Sequence, residues 1–264
     1  MTAKLLVVGG GRMGEALVGG LVASGWAVAP EITIVEKLDD RRSALRERFP
    51  GVSVVAHPEP AAGVLLAVKP ADADDACGGI ARAGTERVLS IAAGVPIERL
   101  ESVLGPGVHV VRAMPNTPAL VGQGAAAIAA GSTADDDDLR WAESLLSSVG
   151  VVVRVPERLL DAVTGLSGSG PAYVFLVAEA LIDAGVLAGL PRDVSATLAV
   201  QTLVGSAALL AGGESPEVLR AAVTSPGGTT AAGLRALETR AVRSAFLEAV
   251  MAATERSRDL GAAG

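Results

Sequence analysis

Two short runs concentrate glycine and hydroxyl side chains inside otherwise apolar sequence: DAVTGLSGSGPAYVF at 161–175 and TSPGGTTAAGL at 224–234. Small residues between apolar helices let backbones approach each other, or a ligand, closely. The hydroxyls of Ser167, Ser169, Thr224, Ser225, Thr229 and Thr230 then become directional hydrogen-bonding groups in an apolar setting, which suits a small polar molecule. The same residue types cap helices, so on these runs alone a pair of capping turns is equally expected. A third run, GGGRMG at 9–14, is G-x-G-x-x-G placed directly after an apolar strand run and directly before a helical pattern. Gly9 permits the tight turn, Gly11 lets a pyrophosphate reach the backbone, and Gly14 lets the helix pack against the strand. Phosphates would meet exposed amides at that helix N-terminus.

Positioning these residues requires a sheet. Runs at 4–8, 31–35, 52–55, 64–68, 87–91, 108–112, 123–130 and 151–155 read as strands, several of them continuous apolar stretches suited to a parallel sheet covered on both faces. The second strand ends at Glu36, where an acidic residue binds the ribose 2'-hydroxyl of NAD and repels a 2'-phosphate. Lys37, Arg41 and Arg42 follow closely and would suit such a phosphate, so NADH and NADPH both stay open. Lys69 in Ala67-Val68-Lys69-Pro70 and the rigid loop Met114-Pro115-Asn116-Thr117 fall at the carboxyl edge of the sheet, where ligands of open α/β folds lie. From Pro156 the period turns helical, with helices expected at 157–164, 170–188, 192–211, 216–223, 230–239 and 242–260. The expected division is a Rossmann-type doubly wound, mostly parallel domain at 1–155 and an all-helical domain at 156–264.

Composition narrows the chemistry. The net charge of -7 argues against nucleic acid as a main partner, since no basic stripe is available to neutralise phosphates. One cysteine and two distant histidines, His57 and His109, offer neither a disulfide nor a metal centre, so no metal is expected. The stretch 194–213 lacks charge and is long enough to span a bilayer. Its Ser, Thr and Gln content and the lack of an aromatic belt favour burial in protein, at a subunit interface, over a membrane. The start of the chain has no signal-peptide pattern, and a cytoplasmic protein is expected. Two long charge-poor helices exceed what about a hundred residues can cover, so pairing with a second copy is expected.

Taken together, the glycine turn at 9–14, AVKP at 67–70, RAMPNTPALVGQG at 112–124, the two hydroxyl-rich runs and the tail AVMAATERSRDLG at 249–261 resemble the pyrroline-5-carboxylate reductase family in order and spacing. The resemblance implies an N-terminal Rossmann domain, a helical dimerisation domain with dimers that often assemble into decamers, and a substrate site where two subunits meet. It implies hydride transfer from NADPH or NADH to the ring imine of 1-pyrroline-5-carboxylate, giving L-proline. By matching motifs, Thr230 would hydrogen-bond the ring nitrogen, and Ser225, Gly227, Gly228 and Thr229 would hold the substrate carboxylate. Gly9, Gly11, Arg12, Met13, Gly14, Glu36, Lys37, Ala67, Val68, Lys69, Pro70, Met114, Asn116 and Thr117 would line the cofactor. A cyclic imine can take its proton from solvent, so no dedicated histidine acid is needed. The run 161–175 is then a packed hinge between the two domains. Two rivals remain: a reductase of another cyclic imine or of a β-hydroxy acid, and a non-catalytic dinucleotide-sensing module. The helical half holds no lysine, against a lysine-dependent β-hydroxy-acid enzyme, and a sensor leaves the two hydroxyl-rich runs unexplained.

Overall fold

The computed structural model describes residues 3–262. Eight strands form one sheet: β1 (Leu5–Val8), β2 (Ile32–Val35), β3 (Ser53–Val55), β4 (Val64–Leu66), β5 (Arg87–Ser90), β6 (His109–Met114), β7 (Gly124–Ala130) and β8 (Gly150–Arg154). Their order is β3-β2-β1-β4-β5-β6-β7-β8, parallel throughout except that β7 runs antiparallel to β6. Helices α1 (Arg12–Ala23), α2 (Asp39–Arg48), α3 (Ala73–Ala83), α4 (Ile97–Leu104) and α5 (Asp136–Leu146) cover its faces. Side chains of β1 alternate accordingly, because successive residues of a strand point to opposite faces. Leu5 and Val7 pack with Leu17, Leu21, Leu45 and Leu145, whereas Leu6 and Val8 pack with Ile80, Leu100 and Leu104. The central strands β1 and β4 are unbroken apolar runs because both their faces are buried, whereas β8 at the sheet edge leaves Val151 and Val153 exposed.

The order reverses between β1 and β4, whose ends stand in register at Val8 and Leu66. Chains leaving these two carboxyl ends diverge to opposite faces and open a crevice there. After β8, the helical part comprises α6 (Leu160–Val163), a π-turn over Thr164–Gly168, α7 (Gly170–Leu187), α8 (Arg192–Ala211), α9 (Pro216–Ala222), α10 (Thr229–Thr239) and α11 (Val242–Ala262). No further strand follows β8 among the described residues.

The chain divides into two compact units, the described part of 1–169 together with 251–264, and 170–250. The boundary therefore lies within the run 161–175 and later than the expected break after residue 155. The reason is side-chain bonding far along the chain. Ser257 Oγ donates to Asp161 Oδ1 at 2.7 Å, tying the last helix to α6, and Arg112 Nη1 and the Ile97 amide both donate to Glu157 Oε1 at 2.8 Å, tying the turn before α6 to the sheet.

In the second unit α7 and α8 pair closely at Gly185, where the Ser195 hydroxyl donates to the Ile182 carbonyl at 2.7 Å. Their other faces are open. Phe175 is 64% exposed, Leu198 54% and Val204 57%. Both Glu157–Leu187 and Arg192–Ala211 are long and apolar enough to cross a membrane.

Candidate active site

At the carboxyl end of β1 the chain turns through Gly9, whose φ of +109° disfavours any side chain. A Cβ there would also lie 2.5 Å from the Ala67 carbonyl oxygen, so the bare glycine lets the turn pass beside β4. Gly14 has the same reason in the next layer, since its Cβ would run into the Gly9 carbonyl oxygen. A Cβ on Gly11 would meet nothing within 4 Å. Gly11 caps α1 without any side-chain bond, and the first intrahelical bond is Glu15 N–H to Gly11 C=O at 2.9 Å. The amides of Arg12, Met13 and Gly14 are thus free to meet an anion in open space. These residues fit the diphosphate of a dinucleotide. Arg12 is exposed, whereas the Met13 side chain packs on the core and has only its backbone to offer.

Gly10, which the motif leaves as a free position, is constrained as well. A Cβ there would collide with Leu45 and press on the Glu36 carboxylate. Glu36 Oε2 accepts from the Gly10 amide at 3.2 Å, and Oε1 accepts from the Leu38 amide at 3.0 Å. The acidic residue at the end of β2 is therefore held over the glycine turn. Lys37 is exposed beside it.

Ala67 and Val68 continue from β4 half-buried, Lys69 is exposed, and Pro70 begins a 3-10 turn whose missing N–H costs nothing there. Beyond β6, Met114 lays its side chain against the bare Cα of Gly168. Asn116 is buried and both halves of its amide are committed: Oδ1 accepts from Ala125 N at 2.8 Å, and Nδ2 donates to the Ser167 carbonyl at 3.0 Å. Its side chain is thus a tie between the loop, β7 and the π-turn, and its carbonyl accepts from the Ala119 amide at 3.2 Å. Thr117 is exposed and starts a 3-10 turn.

Sequence reasoning passed over a cleft of ≈ 500 Å³ in the same unit, bounded by Pro70, Ala93, Gly94, Thr164, Ser169 and Arg256 among others. Its walls are mostly apolar. The Thr164 hydroxyl is turned back to the Leu160 carbonyl, and Arg99 is bound to Asp74 at 3.0 and 2.9 Å, which holds the Asp74 carboxyl below its ordinary pKa. Segments 93–95, 160–169 and 253–260 meet there; the last two lie in runs quoted above, but no local pattern in either shows that they meet.

In the other unit, Ser225 to Gly228 forms a tight turn into α10. Gly227 takes φ +70°, the Gly228 amide donates to the Ser225 carbonyl at 3.0 Å, and a Cβ on Gly228 would strike the Ser225 hydroxyl. Gly228 caps α10 with no side-chain bond. The first-turn amides of Thr229 and Thr230 are therefore open. Among the described residues the hydroxyls of Ser225, Thr229 and Thr230 have no partner, and all three residues are exposed. Two of the six hydroxyls singled out in the sequence are not available. Ser167 donates to the Val163 carbonyl at 3.1 Å and Thr224 to the Arg220 carbonyl at 2.6 Å, so there the local, helix-bound reading holds.

A doubly wound sheet with an open glycine turn, followed by charge-poor helices, defines a reductase of the dinucleotide-dependent class. Residues 4–94 match the model described as NADP oxidoreductase coenzyme F420-dependent, and residues 157–260 that for pyrroline-5-carboxylate reductase dimerisation. A pyrroline-5-carboxylate reductase of Synechocystis is 47% identical over 268 residues, covering 99% of each chain. The solved pyrroline-5-carboxylate reductase of Coxiella burnetii superposes with a TM-score of 0.91 at 36% identity, covering 98% of this chain and 99% of that one. The Plasmodium falciparum enzyme, solved with NADP bound, gives 0.85 at 30% identity with 98% of each covered. The chain belongs to the pyrroline-5-carboxylate reductase family.

Proposed function

We propose that the protein reduces 1-pyrroline-5-carboxylate to L-proline with NAD(P)H, the last step of proline biosynthesis. The observation that carries this reading is the Ser225–Gly228 turn, which leaves the first amides of α10 and the Thr229 and Thr230 hydroxyls without partners, in a chain of this family. Open helix N-terminal amides favour an anion, here the substrate carboxylate. Ser225, Gly227, Gly228 and Thr229 shape that cradle, and Thr230 donates or accepts at the ring nitrogen as its charge changes. The bound cofactor supplies the hydride for the imine carbon. The free amides of α1 anchor its diphosphate at Gly11, Arg12, Met13 and Gly14, with Glu36 and Lys37 at the adenosine end. Ala67, Val68, Lys69 and Pro70, together with Met114, Asn116 and Thr117, border the other half. The imine nitrogen takes its proton from water, so the residues contribute orientation more than proton transfer.

The dimerisation match and the exposed apolar faces of α7 and α8 support a homo-oligomer built on a dimer. A second copy, and not a membrane, is the cover for these helices. The deciding assay is oxidation of NADH and NADPH in the presence of pyrroline-5-carboxylate, other cyclic imines and keto acids. Turnover with pyrroline-5-carboxylate above all others is expected. Dinucleotide binding without oxidation by any cyclic imine would establish the sensing module instead.

A further inference from the structure

The corner after β2 carries more information than the acidic residue alone. Two arginines follow it, and either would suit a 2'-phosphate if its guanidinium were free. Neither is. Arg41 donates from Nε to the Gly10 carbonyl at 2.8 Å and is paired with Glu15. Arg42, with only 12% of its side chain exposed, donates to the carbonyls of Glu36 and Lys37, both at 2.7 Å, and is paired with Asp39. Lys37 faces Asp72 and Asp75 at 3.9 and 4.0 Å. Arg12 is the first residue of α1, at the diphosphate end of the motif. The Glu36 carboxylate is pinned over the turn by two backbone amides, and Asp39 and Asp40 open α2 beside it.

From this arrangement we infer that the protein is built for NADH, with Glu36 as the residue that determines it. The inference rests on the dinucleotide-reductase reading above. A ribose 2'-hydroxyl can donate to the fixed carboxylate, whose oxygens each keep a lone pair after accepting one amide. A 2'-phosphate brings up to two negative charges to the same place. Relief by moving Glu36 would break its bonds to Gly10 and Leu38, and relief by recruiting Arg41 or Arg42 would break their bonds to backbone carbonyls and carboxylates. Like charges brought together at a site cost several kcal/mol, and discrimination built this way acts through repulsion of the wrong ligand.

The test is equilibrium binding to the intact oligomer, without pyrroline-5-carboxylate, by calorimetry or nicotinamide fluorescence. NADH should bind at least about tenfold more tightly than NADPH, and 5'-AMP should displace it better than 2',5'-ADP by a similar factor. Glu36→Gln removes the charge and keeps one of the two amide-accepting oxygens, and should narrow the NADH-to-NADPH ratio about tenfold or more. Equal or tighter NADPH binding by the unaltered protein would overturn the inference, as would a ratio unmoved by Glu36→Gln. The two adenosine nucleotides decide the matter without any variant if Glu36→Gln fails to fold. Binding of neither dinucleotide would overturn the inference together with the proposed function; equal binding of both would overturn the inference alone.

Discussion

Thr230 stands second in α10, its hydroxyl without a partner and its amide among those the helix leaves open. On the proposed reading it contributes one hydrogen bond to a nitrogen whose charge changes during hydride transfer. Removing such a bond costs roughly ten- to a thousandfold in turnover. Thr230→Ala is therefore expected to lose that much in kcat while binding dinucleotide as before, since the cofactor residues lie in the other compact unit. Unaltered turnover in the variant would remove Thr230 from the mechanism. Cys77 illustrates the opposite case at the same scale. Burial, and after it the charge of Asp74, pushes its thiol up to about 11. Only the thiolate reacts with alkylating agents, so native protein at pH 8 should stay unmodified by iodoacetamide and become modified on unfolding, as read by mass spectrometry. Single residues were legible in the sequence where a motif fixes backbone geometry, as at Gly9 and Gly14. They were not legible where a hydroxyl had a choice of partners: Ser167 and Thr224 bind their own helices, while Ser225 and Thr230 do not.

At the scale of elements, inner strands such as β1 and β4 were readable because a buried parallel strand is an unbroken apolar run. The π-turn at Thr164–Gly168 was not, since its five-residue repeat closes through the Ser169 amide and the Thr164 carbonyl, at 2.8 Å, within a Gly/Ser-rich stretch that also reads as caps. What fixes it comes from 51 residues earlier, the Asn116 amide on the Ser167 carbonyl. Such single-turn π-elements often sit at functional sites. Asn116→Ala would leave the Ser167 carbonyl and the Ala125 amide, both part-buried, without partners, costing about 2–4 kcal/mol. For a chain of this size that lowers Tm by roughly 5–15 °C, whereas Thr117→Ala, exposed next door, should change it little. Equal melting of the two variants in calorimetry would show that the Asn116 tie carries no stability.

At the scale of the whole molecule, periodicity marked where strands give way to helices but not where the compact units divide. That division depends on the last helix, whose Ser257 bonds Asp161 and whose Gly261 lies against Gly94, and no local pattern announces a return of that kind. The open faces of α7 and α8 were foreseeable from their lack of charge, and the exposure of Phe175, Leu198 and Val204 gives the expectation a surface. Contiguous apolar area on two long helices is what obligate interfaces bury, and such an interface excludes charge at its centre. Sedimentation of the unaltered protein at low micromolar concentration should show a dimer or a multiple of it. Leu198→Arg and Val204→Arg alter side chains that each chain leaves exposed, so they should spare the fold of the chain while driving the assembly toward smaller species. Because the sheet unit remains intact, dinucleotide affinity in these variants should survive the loss of assembly. A stable monomer of the unaltered chain would leave these helices without an occupant and remove the homo-oligomer from the proposal.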